Sequence, residues 1–190
     1  MSATPKAWLF PLPLRAVPTD DPMSFRTMPA GATGVPHGPL HPGAFGFRRA
    51  NHVHEGVDLY CDEGTMVTLV EDGTITAIEP FTGPNAIPPS PWWLDTLSVM
   101  VEGASGAVLY GEIEPLTGLA VGQRLSAGDP IGHVVRVLRN DKGRPMTMLH
   151  LELHAPGTTE AMEWVGARPE SLRDPTPFLL AATESAGTSD

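Results

Sequence analysis

Short runs in which apolar and polar residues alternate, rather than a helical repeat, organise most of the chain between residues 65 and 154. Residues 65–70 and 74–78 are rich in β-branched side chains and are separated by the turn sequence EDG, which predicts a hairpin. A second hairpin is predicted where EGASG separates residues 97–101 from residues 107–110. The pattern therefore predicts a β-rich fold.

The most strand-like run is MTMLHLELHAP, near the end of the patterned region. Because side chains alternate across a strand, Met148, His150, Glu152 and His154 should share one face, and the three intervening leucines should share the other. We expect the leucine face to enter the core. The polar face then brings two histidines and a carboxylate to one side of a strand.

Proline and glycine divide the rest of the chain. The 21 prolines and 20 glycines are spread without a period, which favours turns between short strands over a helical bundle or collagen. We predict an all-β fold, a compact barrel-like antiparallel sandwich with a long Pro-rich loop near residues 79–96. Its parts are an extended N-terminal arm, residues 1–44, a single domain, residues 45–182, in which DPTPFLL docks the C-terminal end, and a polar disordered tail, residues 183–190.

The charge balance limits the partners. A net charge of −10 in 190 residues would repel nucleic acid and anionic membrane surfaces, and no apolar stretch reaches the ~20 residues of a membrane helix. The N-terminal AWLFPLPL lacks the features of a signal peptide. We expect a cytoplasmic protein, with export by another route or a phage origin left open. The sequence does not indicate an oligomeric state.

Candidate chemistry is concentrated in NHVHEGVDLY, which places His52, His54, Glu55 and Asp58 within seven positions. Taken alone, such a cluster in a loop is more often solvated than metal-binding. The rest of the chain has to distinguish a metal site from a hydrated turn.

Several motifs resemble, in the same order, those of the lysostaphin and LytM type of zinc metallopeptidase. They are HEGVD, the stretch EGTMVTLVEDGTITAI, the later LAVGQRLSAGDPIGHV, LHLEL and the closing DPTPFLL. The resemblance extends from about Phe45 to Leu180 and implies the duplicated hybrid motif fold for the predicted domain. It also implies that His54 and Asp58 of HxxxD, together with His150, bind one divalent metal.

The implied ligand set agrees with metal chemistry. Two imidazoles and one carboxylate leave a fourth position for water, which is typical of a catalytic rather than a structural zinc site. We therefore expect zinc as the cofactor. Iron is the alternative, because two histidines and one carboxylate also form the facial triad of iron oxygenases.

Two positions depart from the family pattern. The family's YxHL histidine is replaced in LYGEIEPL by Glu112, and the first histidine of HxH is replaced by Met148. The resemblance assigns to those histidines the activation of water and the stabilisation of the oxyanion. Glu112 is either a general base or a solvated carboxylate at a strand end. Met148 cannot carry a proton, so it would pack or contact the substrate.

Other polar residues are weaker candidates. Glu152 could orient the His150 imidazole or be solvated. His133 and His154 could replace the missing histidines, although nothing in the sequence places them near the metal.

Two pairs of neighbouring residues are also candidates. Arg48 and Arg49 precede HxxxD and could bind a substrate carboxylate or pair with an acidic neighbour. Trp92 and Trp93, in the Pro-rich loop, could line a substrate groove or pack the loop onto the domain.

These observations favour a zinc-dependent hydrolase that acts on a small peptide or another amide, with altered proton-transfer residues. Two alternatives stay open. One is a non-hydrolytic metalloenzyme, with iron as its metal. The other is a catalytically inactive module that keeps its metal for recognition.

Overall fold

The computed structural model describes residues 7–186 and contains mainly short strands. The described elements, in chain order, are β1 (Arg15–Thr19), a short 3-10 helix (Ser24–Arg26), β2 (Ala32–Pro36), β3 (Val57–Tyr60), β4 (Met66–Thr68), β5 (Gly73–Thr82), β6 (Thr96–Gly103), β7 (Ala107–Pro115), β8 (Arg124–Leu125), β9 (Pro130–Val134), β10 (Met148–His154), β11 (Leu172–Arg173) and α1 (Thr176–Ala186).

Strands β3 to β11 form a nine-stranded sheet whose described pairings are all antiparallel. The order is β11-β10-β7-β6-β5-β8, with β3 also paired to β10, and β9 paired to both β4 and β7. The predicted all-β fold is confirmed. The long loop is also present, although β5 extends to Thr82 and takes the first residues of that segment into the sheet.

The two predicted hairpins have different outcomes. Strands β6 and β7 pair as expected, with Val99 opposite Tyr110. The hairpin predicted for residues 65–70 and 74–78 is wrong, because β4 pairs with β9 whereas β5 pairs with β6 and β8. The turn sequence EDG does separate β4 from β5, but the pairing partner of β4 lies more than sixty residues away in the chain. A local pattern carries no information about such a partner.

The N-terminal segment is part of the core. Trp8, Leu12 and Val35 are at most 4% exposed and pack with the aliphatic residues of the sheet. Strands β1 and β2 form a separate parallel pair. The boundary predicted near residue 45 stays a prediction, but side chains before it help to bury the sheet.

The described part of the chain ends in helix α1, an element that the sequence pattern did not predict. Leu179 and Ala182 are buried by the docking of this helix. At the start of the helix, the Thr176 amide donates a hydrogen bond of 2.8 Å to the Asp174 carboxylate, which precedes the helix. Residues 183–186, predicted as the start of a polar tail, are helical, and residues 187–190 lie outside the described range. Within residues 7–186, no helix is long and apolar enough to cross a membrane.

Candidate metal centre

The pairing of β3 with β10 brings the HxxxD motif to the late strand histidine. The register places His150 opposite Asp58 and Met148 opposite Tyr60. Gly56, inside HEGVD, makes this approach possible. A Cβ at residue 56 would lie 2.5 Å from the Leu151 carbonyl oxygen and 2.9 Å from His150 Nε2, which leaves no room for a side chain.

His54, Asp58 and His150 form a compact buried group. His150 Nδ1 lies 2.8 Å from Asp58 Oδ1, and His54 Nε2 lies 3.1 Å from the same oxygen. The two ring nitrogens are 3.3 Å apart. All three residues are buried, with exposures of 0%, 4% and 6%. His54 Nε2, Asp58 Oδ1 and His150 Nδ1 therefore face the same point.

The outer atoms of the same residues are held by other groups. His54 Nδ1 lies 2.9 Å from the Ala44 carbonyl oxygen. A carbonyl oxygen can only accept a hydrogen bond, so Nδ1 carries the proton in this contact. His150 Nε2 lies 2.9 Å from Glu152 Oε1, which holds the proton on that nitrogen in the neutral ring. The Arg49 guanidinium donates to Asp58 Oδ2 at 3.0 Å. When both rings are neutral, these contacts leave a lone pair on the inward nitrogen of each imidazole, and Asp58 Oδ1 faces the same point.

The electrostatics of the group favour a cation. Burial alone would raise the pKa of Asp58, but His54, His150 and Arg49 together hold that pKa well below its usual value. Burial alone would lower the pKa of His150, yet Asp58 and Glu152 raise it well above the usual value. Burial would likewise raise the pKa of Glu152, but His150 and His154 lower it to about 2. Two ionised carboxylates thus face one imidazole.

The arrangement fits a metal ion. Two imidazole nitrogens and one carboxylate oxygen lie within 4.8 Å of one another, and the three residues could hold a divalent cation. The outer contacts to Ala44 and Glu152 are of the kind that orient metal-binding imidazoles.

Glu112 lies on β7 beside this group. Its neighbour Gly111 is opposite His150 in the sheet, and Glu112 itself has a φ of 65°, unusual for a residue with a side chain. The residue is 7% exposed, so it is not a solvated carboxylate. Its Oε2 has no hydrogen-bond partner among the described residues. Burial, and then the charge of Asp58, raises the pKa of Glu112 to about 8.

An aromatic residue that the sequence analysis did not single out completes this side. The Phe81 ring lies 5.3 Å from the His150 ring between centroids, and it also covers Gly111. Phe81 is near the start of the Pro-rich segment, where the expected loop is still part of β5. Only the register of the sheet identifies it as a neighbour of the metal centre.

The structure separates the weaker candidates into two groups. Glu152 contacts His150, and Arg49 contacts Asp58, so both touch the ligand group directly. His154 is connected to it through Glu152, because its Nε2 lies 2.6 Å from Glu152 Oε2. No described contact joins the ligand group to the remaining candidates, which are Arg48, His133, Trp92 and Trp93. Their roles stay predictions.

The positions of this second group differ. Arg48 pairs with Val53 through the backbone, and His133 lies on β9 opposite Met66. Trp93 pairs with Leu138, and Trp92 is 63% exposed.

Solved structures provide the comparison. A LytM protein from Ruminococcus gnavus, described as a glycyl-glycine endopeptidase, superposes with a TM-score of 0.56 at 18% identity, over 94% of this chain and 61% of that one. The chain has the lysostaphin and LytM peptidase fold. No family model matches the sequence, and no curated protein sequence matches it.

Two further structures are similar to this LytM-type fold. The catalytic domain of lysostaphin, an antimicrobial peptidase from Staphylococcus simulans, is 19% identical over 73% of this chain and 89% of that domain, with a TM-score of 0.48. The cbpa protein of L. salivarius REN is 18% identical over 75% of this chain and 87% of that one, with a TM-score of 0.49.

Proposed function

We propose that this protein is a metal-dependent hydrolase that cleaves a small peptide or another amide. The observation that carries the proposal is the convergence of His54 Nε2, His150 Nδ1 and Asp58 Oδ1, each with its outer atom held by a protein group. Zinc is the proposed metal. A cytoplasmic location and a peptide substrate belong to the same proposal.

The ligand residues and their partners would preorganise the site. When bound, a zinc ion supplies Lewis-acid activation of water and of a carbonyl group. Ala44 and Glu152 hold the two imidazoles in the tautomers that keep their inward nitrogens unprotonated. His54, His150 and Arg49 together keep the pKa of Asp58 low, and the hydrogen bond of Arg49 to Oδ2 leaves Oδ1 facing the two imidazoles. Little rearrangement of these side chains is needed before a substrate arrives.

Glu112 is the proposed proton acceptor. Its free Oε2 is buried beside the ligand group, so a proton taken from water can be held there. With a pKa of about 8, Glu112 is mostly protonated at neutral pH in the absence of added positive charge. Positive charge at the ligand group would favour the carboxylate form and make it available as a base.

One observation favours a second candidate function, a metal-binding recognition module without hydrolytic activity. Met148, at 9% exposure, is directly beside Tyr60 and has no proton to donate or accept. If neither Glu112 nor Met148 transfers a proton, the protein would still bind a metal and a ligand but would not turn the ligand over.

Metal analysis followed by an activity panel tests the proposal. Protein purified without added metal should contain one zinc per chain. A chelator should abolish cleavage across a panel of short peptide amides of different sequence, and added zinc should restore it. One iron per chain would instead support the non-hydrolytic metalloenzyme. A full complement of zinc with no turnover across the panel would support the recognition module.

A further inference from the structure

A small cavity lies beside the ligand group. Its volume is about 230 Å³, below the roughly 300–1,000 Å³ of pockets that take drug-sized ligands. Its lining includes the aromatic residues Phe25, Phe47 and Tyr60 and the cations Lys142 and Arg144. The cavity thus combines aromatic surface with two cations.

The cavity adjoins the metal centre through Tyr60 and Gly43. Tyr60 is two residues after Asp58 on β3, so both side chains lie on one face of that strand. Gly43 packs against both, since a Cβ at residue 43 would lie 3.1 Å from Asp58 Cβ and 3.2 Å from the Tyr60 hydroxyl. A ligand in the cavity would therefore be close to the ligand group.

The two cations have no acidic partner in the described part of the chain. Among the described residues, Arg49 forms an ion pair with Asp58. No ion pair among these residues involves Lys142 or Arg144. Two acids near the cavity in the sequence accept hydrogen bonds from backbone amides. Asp141 accepts the Gly143 amide at 2.7 Å, and Asp21 accepts the Met23 amide at 2.9 Å.

The charge of this surface contrasts with that of the whole protein. The chain has a net charge of −10 and only two lysines, one of which is Lys142. Arg26 adds positive charge at the same place, with its guanidinium 5.7 Å from the Phe25 ring centroid. Unpaired cations beside aromatic surface favour an anionic ligand with an apolar part.

We propose that this cavity binds the part of the substrate, next to the bond that is cleaved, in which a carboxylate lies beside an apolar side chain. The inference rests on the proposed hydrolase function and adds the substrate class to it. Lys142 and Arg144 bind the carboxylate, while Phe25, Phe47 and Tyr60 pack against the apolar part.

Calorimetric binding of three short probes tests this. The probes are acetyl-Gly-Phe with a free carboxylate, its C-terminal amide, and acetyl-Glu-Phe-amide. A free carboxylate should bind about tenfold tighter than the neutral amide, in the range of a charge-assisted hydrogen bond. Preference for the first probe identifies a substrate C-terminus, and preference for the third identifies an acidic side chain.

Variants separate the cavity from the metal. In the double variant Lys142→Ala/Arg144→Ala, the tighter binding of the free carboxylate should disappear while metal content and thermal unfolding are unchanged. If the carboxylate were bound only by the metal, its affinity would not depend on these two residues. Lys142→Arg/Arg144→Lys should keep the preference. Arg124→Ala, on distant β8, is the matched control and should also keep it.

The outcomes separate this inference from the proposed function. Equal affinity for acid and amide, or a preference that survives in the double alanine variant, overturns the inference even if peptides are cleaved. A preference that depends on Lys142 and Arg144, in a protein that cleaves no amide, supports the cavity assignment and contradicts the hydrolase.

Discussion

The two sides of the candidate site differ in how completely their polar atoms are satisfied. On the ligand side, His54, Asp58 and His150 are held by hydrogen bonds on their outer atoms. On the proton-transfer side, Glu112 has an oxygen without a described partner and Met148 has no polar group to offer. Both sides are buried, and Glu112 lies on β7, which pairs with the strand β10 that carries both His150 and Met148.

This difference means that metal binding and proton transfer depend on separate residues. The ligand side is preorganised by its own contacts, none of which involves Glu112 or Met148. Substitutions on one side should therefore change one property and leave the other intact.

The largest effect is expected from removing a ligand. His150→Ala should reduce metal content from one per chain to none, because two remaining donors do not hold a divalent cation against water. Elemental analysis after gel filtration measures this. His133→Ala, on β9, is the control and should keep its metal. One metal per chain in the His150 variant would show that the ligand assignment is wrong.

A substitution on the proton-transfer side should change turnover without changing metal content. Glu112→Gln keeps the shape but removes the basicity, so we expect full metal content and a loss of at least ~100-fold in kcat, the lower end of acid-base contributions. Steady-state kinetics on a cleaved peptide amide measure it. Glu114→Gln, exposed two residues further along β7, is the matched control. Unchanged kcat in metal-loaded Glu112→Gln would exclude this residue as the base.

An intermediate effect is expected from the residue that orients His150. Glu152 accepts from both His150 and His154, so Glu152→Gln removes the charge that fixes the imidazole. Metal affinity should fall by about 10–100-fold, as for other partners of metal ligands. Competition with a zinc chelator measures the affinity. Glu79→Gln, exposed on β5, should bind as tightly as the unmodified protein, and equal affinity in both variants would refute an orienting role.

The smallest effect concerns pH and the metal-free protein. Burial raises the pKa of Glu112 from 4.5 to about 8, so between these values the folded state holds a proton that the unfolded state has lost. This contribution to stability is complete below pH 4.5 and disappears as pH rises toward 8, with a slope of up to about 1.4 kcal/mol per pH unit.

Urea unfolding from pH 5 to 8 with a chelator present measures this slope. Glu112→Gln has no such proton, so its free energy of unfolding should rise relative to that of the unmodified protein as pH increases. Parallel curves for the two proteins would contradict the raised pKa.

Much of the ligand side was predictable from the sequence. The HxxxD spacing, the glycine within it and the alternation in MTMLHLELHAP are local patterns, and the register of β3 with β10 places their residues together. The leucine face of β10 is buried as predicted, since Leu149, Leu151 and Leu153 are at most 1% exposed. The resemblance named the same three residues from motif order.

Other features were not predictable. The polar face of β10 is buried as well, with His154 fully enclosed, whereas an alternating strand usually exposes one face. The true partner of β4, the Phe81 ring against His150, and the cavity between residues 22–47 and 142–145 all depend on segments far apart in the chain.

The sequence by itself determined which side chains share a strand face and which residue types can hold a metal, because alternation and ligand chemistry are local properties. Only the tertiary structure decided the tautomers of His54 and His150, the burial of Glu112 and the unpaired cations beside Tyr60. Those properties depend on hydrogen-bond partners and on the exclusion of water, and both are set by strand pairing and packing over long separations in the chain.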